Sequence, residues 1–431
     1  MDASTLIAVT IFIATIAMIV ARLVDETVAA LAGVVLVILL TGYTPEEAFH
    51  FIDWNVIAIL LGMWIIAGYL IEAGFAEAAV SMVSRYASTY RRFLVLMAIL
   101  SGFISMFIDN VLVILLVGSI TITAAKKAGA NPALAILLIG FSANFMGTAL
   151  LMGDLPPQLL HSVAGAEFID FIWSMGRPGS FPLLTVTFIL VLALFYAIFI
   201  RREPDTRLDS GMSSGRVNRP LLAVSLAFFT ATITAMALRP LLGLPLGFIT
   251  MSGAAFLALT VEVLSRRINM ARFEEVVGHV EWRALLFYAL LFSLVGSLES
   301  LGVLESVAEA LVEHISGGVG AYTILYWGVG LLSLFIEHDA LLLTFLYITR
   351  DAAQLAGIDP WNLYWGMAWS ATLGSNATTA AAPALYVALT IADREGYRIK
   401  PREFLKYSLA FSLSSLMIHY AITLPIWGAY P

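Results

Sequence analysis

Cysteine is absent from the 431 residues, so the chain has no disulfide framework, thiolate nucleophile or cysteine-ligated metal. Charge is scarce: Asp, Glu, Lys and Arg make up 12% of the chain, where a soluble domain carries about a quarter. Acid outnumbers base by 30 to 23, giving a net charge of −7. There is no basic surface for phosphates, which excludes nucleic acid as a partner. No HExxH, nucleophile–base spacing or phosphate-binding glycine loop is found, which argues against an enzyme and against ATP-driven pumping by this chain alone. What is abundant is apolar. Hydrophobic residues reach 60% and mean hydropathy is +0.92. That composition predicts an all-α polytopic membrane protein in contact with the lipid bilayer. Ser4 to Ala21 is apolar but lacks a basic n-region and a clear cleavage site, so it reads as a span rather than a signal peptide.

A bilayer core about 30 Å thick needs roughly 20 apolar residues per helix. Ten stretches fit full crossings: Ser4–Ala21, Thr27–Leu40, Asn55–Ile71, Asn131–Leu160, Phe181–Ile200, Pro220–Leu238, Leu244–Leu264, Ala284–Leu298, Trp361–Ile391 and Tyr407–Trp427. The fourth and ninth (131–160 and 361–391) are long and interrupted by Gly, Pro, Asn and Thr, as broken helices are. Two further stretches, 93–125 and 320–349, are too long for one crossing and too short for two. Each carries acid at its middle, Asp109-Asn110 in one and Glu337-His338-Asp339 in the other. Both are expected to be re-entrant hairpins with the polar tip at membrane depth, buried in protein or lining a cavity.

Basic residues test that topology. With the hairpins counted as non-crossing, 20 of the 23 Lys and Arg fall on one face, which the positive-inside rule makes cytoplasmic. The expected protein is a multi-pass protein of the plasma or inner membrane. Its polar linker 201–219 is cytoplasmic and both termini lie outside. The linker divides the chain into 1–200 and 220–431, each with five crossings and one hairpin, the second inverted relative to the first.

The halves resemble each other internally. At an offset of 228, Asp53-Trp54 matches Glu281-Trp282, Gly68 matches Gly296, Gly74 matches Gly302 and Glu77 matches Glu305. Ser105, Phe107, Ile108 and Asp109 match Ser333, Phe335, Ile336 and Glu337. Inverted repeats with broken helices are a signature of secondary transporters, which bind substrate near the midplane at the repeat interface. Ala76–Tyr90 and Leu304–His314 are amphipathic and expected on opposite membrane surfaces. Trp54, Trp173, Trp282, Trp361, Trp365 and Trp427 are expected mostly as belt anchors.

Chemistry is expected where polar residues interrupt apolar ones. The first broken helix carries Ser142, Asn144, Gly147 and Thr148, then Asp154; the second carries Ser375, Asn376, Thr378 and Thr379. Unwound carbonyls with Asn and Thr oxygens suit a dehydrated cation, and freed N–H groups suit an anion. Close packing of small residues is the competing reading. Asn144 and Asn376 are offset by 232, which implies a four-residue insertion relative to the earlier register. Asp109 and its mate Glu337 suit cation binding or proton cycling, with hairpin caps as the alternative. His338 would join a proton relay or be an interior hydrogen-bonder, and Asp339 would be ligand or cap. The polar centres hold no Lys or Arg, which argues for a cation, a proton couple or a small neutral species.

These residues resemble the ion transporter superfamily, in the branch of arsenite permeases (ArsB), NhaD-type sodium–proton antiporters, the pink-eyed-dilution P protein and citrate-transporter-like permeases. The resemblance covers nearly the whole chain. It rests on Asp53-Trp54-Asn55-Val56, on Ser105 to Val111, on Asn144 to Thr148 running to Gly153-Asp154, and on the echoes Glu281-Trp282 and Asn376-Ala377-Thr378. It implies a scaffold, a transport domain and an elevator-like movement. The chain departs from the pattern at Glu337-His338-Asp339, where an Asp-Asn pair is usual.

The expected function is proton-coupled secondary transport of a small inorganic ion, foremost sodium–proton antiport. Asp109, Asn110, Asn144, Thr148, Glu337, His338, Asn376 and Thr378 would line the site, with sodium at Asp109, Asn144, Thr148 and Asn376. No cofactor is expected beyond the coupling ions H+ and Na+. Alternatives are arsenite or antimonite efflux, with a separate ATPase partner conceivable, and citrate, dicarboxylate or other anion transport. A homodimer is compatible with either. A non-transporting membrane sensor is the reading from another class.

Overall fold

A computed structural model describes residues 3–207, 217–265, 271–312 and 318–429. The linker's middle (208–216), Arg266, Arg267 and His314 lie outside the described residues. The chain is almost entirely helical. The first half runs α1 (Ala3–Val20), α2 (Glu26–Thr41), α3 (Pro45–Phe51), α4 (Trp54–Glu72), α5 (Phe75–Tyr86), α6 (Tyr90–Ser105), α7 (Asn110–Ala128), α8 (Pro132–Gly147), α9 (Leu155–Ala164) and α10 (Ser180–Ile198). The second runs α11 (Arg219–Ala237), α12 (Arg239–Leu242), α13 (Leu246–Ser265), α14 (Phe273–Val277), α15 (Trp282–Ser300), α16 (Val303–Val312), α17 (Gly318–Leu332), α18 (His338–Ala356), α19 (Trp361–Ser375), α20 (Pro383–Arg394) and α21 (Pro401–Thr423).

The ten stretches expected to cross all fall on helices. Eight are continuous and two are broken pairs, α8/α9 and α19/α20, interrupted over 148–154 and 376–382. Eight helices among the described residues are long and apolar enough to span a bilayer. One of them is α7, which the sequence places in a hairpin. Helical structure continues through Lys126 and Lys127, and the resulting 19 residues measure about 28 Å. The arm is thus longer than a half-depth loop needs. It still packs back against α6 through a four-residue connection, 106–109.

The order of elements in the first half recurs in the second. The members of α3/α14, α4/α15, α5/α16, α6/α17, α7/α18 and α9/α20 each start 228 residues apart, and those of α8/α19 start 229 apart. No four-residue insertion precedes the broken helices, so that expectation is corrected. Asn144 lies inside α8, in register with Thr372, whereas Asn376 ends α19, in register with Thr148. Asparagine occupies different positions in the two breaks.

Packing repeats as well: α4 packs on α13 and α15 on α2, α7 on α20 and α18 on α9. Residue i meeting j′ while j meets i′ is how two-fold interfaces are built. Gly68 of α4 lies under Val276 of α14, and Gly296 of α15 lies under Phe51 of α3. A Cβ on either glycine would come within 2.9 Å and 2.2 Å of those residues. Gly74 and Gly302 both take left-handed backbone (φ 78° and 68°) where the chain turns into α5 and α16. That conformation explains glycine at both matched positions.

The Asp53-Trp54-Asn55 motif ties two helix starts together. One Asp53 oxygen accepts the N–H groups of Asn55 (2.9 Å) and Val56 (3.1 Å), which the first turn of a helix leaves unpaired. The other accepts the Ser162 hydroxyl. Asn55 Oδ1 in turn accepts Gly247 N–H of α13 at 2.8 Å. Asp53→Ala is therefore expected to lower stability by about 1–2 kcal/mol, read as a lower Tm in detergent. Trp54, Trp173 and Trp282 are half exposed, as belt residues are. Trp365 and Trp427 are buried, and they cluster with Trp369 at ring separations of 5.7 and 6.1 Å. They serve the core because the final helix folds over α19.

Candidate functional site

Each hairpin tip meets the break of a long helix. In the first half Gly153 allows the contact: a Cβ there would lie 2.3 Å from the Gly147 carbonyl oxygen and 2.4 Å from that of Ser105. In the second half Thr378 donates to the Leu334 carbonyl (2.8 Å), and His338 N–H donates to that of Ala381 (3.3 Å). The polar tips are thereby held beside unwound backbone, where sequence alone placed them at matching depth.

Three acids sit at helix starts, where unpaired N–H groups and the helix dipole favour a carboxylate. Asp109 Oδ1 accepts Val111 N–H at 2.9 Å. Asp154 Oδ1 accepts Leu155 N–H at 2.9 Å. Glu337 uses both oxygens, accepting Asp339 N–H (3.1 Å) and Ala340 N–H (2.8 Å). Asp109 and Glu337 both cap helices, and for both the cap coexists with a place on a cavity wall.

That cavity has a volume of about 330 Å³. Asp109, Asn110, Asp154, Glu337, His338 and Asp339 all line it, so acids from both tips and from the first broken helix face one space. Asn110 joins two of the elements: its amide donates to Asp154 Oδ2 (2.9 Å) and to Asn144 Oδ1 (3.0 Å). Glu26 and Glu281, at the starts of α2 and α15, also line the cavity, as do Tyr288, Arg283 and Arg394. The sequence reading missed these. Glu26 borders an apolar run with no spacing to mark it, and Glu281 is marked only as the 228-residue match of Asp53, which gave it no place at a cavity. The two arginines amend the expectation of a site without basic residues. Arg283 is largely exposed and paired with Asp25.

The remaining candidates pack behind the cavity. Asn144 Nδ2 donates to Ser375 Oγ (2.9 Å) and to the Thr372 carbonyl (3.3 Å). The hydroxyls of Thr148 and Thr372 lie 2.7 Å apart. Ser142 bonds back to the Leu138 carbonyl, an intrahelical contact. Gly147 leaves room for Asp154, whose Cβ would be 3.0 Å from an added Cβ. Asn376 is fully buried with both amide atoms unpartnered. The Thr379 carbonyl accepts the Arg22 guanidinium, which lies 4.6 Å over the Tyr386 ring. Of the four residues proposed for sodium, Asp109 lines the cavity, and Asn144 and Thr148 bridge α8 to α19. Elsewhere Glu72 meets His279 and Glu299 meets Arg350, each at 2.7 Å.

A helical membrane fold with two broken helices and a buried acidic cavity between hairpin tips defines the class: a polytopic secondary transporter. The chain belongs to the citrate transporter family (CitMHS), whose model matches residues 13–374. It is similar to an uncharacterized transporter of Mycobacterium tuberculosis, 29% identical over 427 residues and covering 96% of each chain. It is also similar to the magnetosome protein MamN of Magnetospirillum gryphiswaldense, 28% identical over 392 residues, covering 88% of this chain and 86% of that protein. Its fold is shared with the crystal structure of the Alcanivorax borkumensis YdaH transporter. That match has a TM-score of 0.59 at 14% identity and covers 98% of this chain and 97% of that one.

Proposed function

We propose that this chain exchanges a small inorganic cation for protons across the bilayer, with sodium–proton antiport as the simplest form. The supporting observation is the single cavity in which six carboxylates (Glu26, Asp109, Asp154, Glu281, Glu337 and Asp339) face two arginines and one histidine. Ionisable groups inside a membrane are costly and mark ion pathways. An excess of acid favours cations or protons there. Protons and cation would compete for the same carboxylates, and only occupied states would move. The topology of this reading is the one given above: ten crossings, two hairpins, halves 1–200 and 220–431 inverted, the linker cytoplasmic and both termini outside. The α6–α9 and α17–α20 regions would move against a scaffold that contains α4 and α13.

A second reading, transport of citrate or another carboxylate, is favoured by the family and by Arg283 and Arg394 at the cavity. Proteoliposomes with an internal pH dye decide between the two. External sodium or lithium is expected to drive proton movement without citrate. Uptake of labelled citrate or dicarboxylate with no cation-driven proton flux would overturn the first reading. Arsenite efflux without such flux would do so equally.

A further inference from the structure

We infer that the groove between α6 and α10 binds one anionic phospholipid, with an acyl chain along the groove and the phosphate on Arg92. The site lies apart from the acidic cavity and does not depend on which ion is carried. Its placement follows from the path of the chain. α6 begins at Tyr90, α10 ends at Ile198, and both helices pack on α8. Tyr90 N–H donates to the Thr206 carbonyl at 2.9 Å, and Arg91 Nε donates to that of Glu203 at 2.7 Å. The start of α6 and the end of α10 therefore share one level, and the helices run antiparallel into the membrane from there. That level belongs to the arginine-rich face, which the positive-inside rule makes cytoplasmic.

Between the two helices is a groove of about 530 Å³. Val95, Leu96 and Ile99 form one wall, Ile189 and Leu192 the other. Among the lining side chains only Arg92 and Tyr196 are polar, and the antiparallel path puts both at the mouth. From Arg92 to Ile99 the helix rises about 10 Å. One leaflet of hydrocarbon is about 15 Å deep, half the bilayer core. The groove thus ends within one leaflet, apolar below and cationic at headgroup level, which is the profile of a phospholipid.

Charge at the mouth selects the headgroup. Arg92, Arg201 and Arg202 are all exposed. Arg92 donates to the neutral Ser88 hydroxyl at 3.3 Å, and none of the three arginines has an acidic partner among the described residues. Each basic residue at the membrane surface strengthens the attraction to anionic lipid by about fivefold. A second copy of this chain fits less well. The same patch would face itself across a two-fold axis, bringing two sets of these arginines to one level. Tyr196, half exposed, offers a hydroxyl at the depth where tyrosine commonly meets headgroups.

Competition between two lipids tests the site. Purified full-length protein, delipidated in detergent, is offered equal amounts of phosphatidylglycerol and phosphatidylcholine with the same acyl chains and read by native mass spectrometry. One phosphatidylglycerol per chain is expected, preferred by at least about 10-fold. Arg92→Gln should lower that preference about fivefold, and Arg92→Gln with Arg201→Gln and Arg202→Gln should abolish it. Ala193→Trp, which fills the groove, should lose bound lipid of both kinds while the protein still elutes as a folded species. Arg219→Gln, at the start of α11 and outside the groove, should change nothing. Glycerol phosphate, a headgroup without chains, should not compete. Four results would overturn the inference. They are equal retention of the two lipids, an unchanged preference in Arg92→Gln, displacement of the lipid by glycerol phosphate, and a dimer that Ala193→Trp splits. The lipid comparison on the natural chain needs no variant, so it decides the matter even where a substitution impairs folding.

Discussion

Asp109→Asn is expected to abolish cation-driven proton flux in proteoliposomes while the protein purifies as a folded species. Asparagine keeps the acceptor that caps α7 through Val111 N–H, so the hairpin tip keeps its local structure. What disappears is a charge and a protonation site on the cavity wall. Transport is expected to fall at least 100-fold, which corresponds to about 3 kcal/mol. Asp109→Ala should also shed the cap and lower Tm, separating the two roles of the residue. Full exchange by the asparagine variant would place proton coupling elsewhere among the cavity acids.

The second large effect is on folding. Gly153→Ala puts a Cβ within 2.4 Å of two carbonyl oxygens, on Gly147 and Ser105. Both neighbours are backbone and neither can rotate away, so the hairpin tip must separate from the broken helix. A cost of about 3 kcal/mol or more is expected, seen as a large fall in Tm or as failure to accumulate in the membrane. Gly328→Ala on α17 is the control. Nothing lies within 4 Å of its Cβ and its backbone is helical, so the change should be neutral or slightly stabilising.

Much of this fold can be read from the residues because the bilayer imposes length and polarity together. Apolar runs gave the long helices, and the 228-residue repeat from Asp53-Trp54 to Glu281-Trp282 extends through the starts of six helix pairs, with α8/α19 one residue off. Polar interruptions located both breaks and both tips. Sequence did not show which polar groups face the cavity. Asn144 and Thr148, expected as ligands, hydrogen-bond to Ser375 and Thr372, because a helix interior rich in small residues brings opposing polar groups together. Glu26 and Glu281 carry no sequence sign of a cavity position and yet line it, since a helix start is both a membrane boundary and, after packing, a wall. The asparagine pair misled for another reason. Either helix break can be served by Asn or Thr, so residue type did not preserve the register. Tryptophan shows the same limit. Trp282 faces outward while Trp365 lies in the core, a difference set by the packing of α21 rather than by local sequence.

The central claim is that the tip of one half touches the break of the other half inside a single cavity. His338 and Asp154 approach to 3.9 Å across that boundary. Because the natural chain has no cysteine, the double variant Asp154→Cys with His338→Cys carries one pair of thiols. With a protease site placed in the polar linker 208–216, mild oxidation or a short bismaleimide should leave the two halves joined on a denaturing gel after cleavage. Halves that separate after such treatment, in protein that still elutes as a folded species, would contradict the shared cavity.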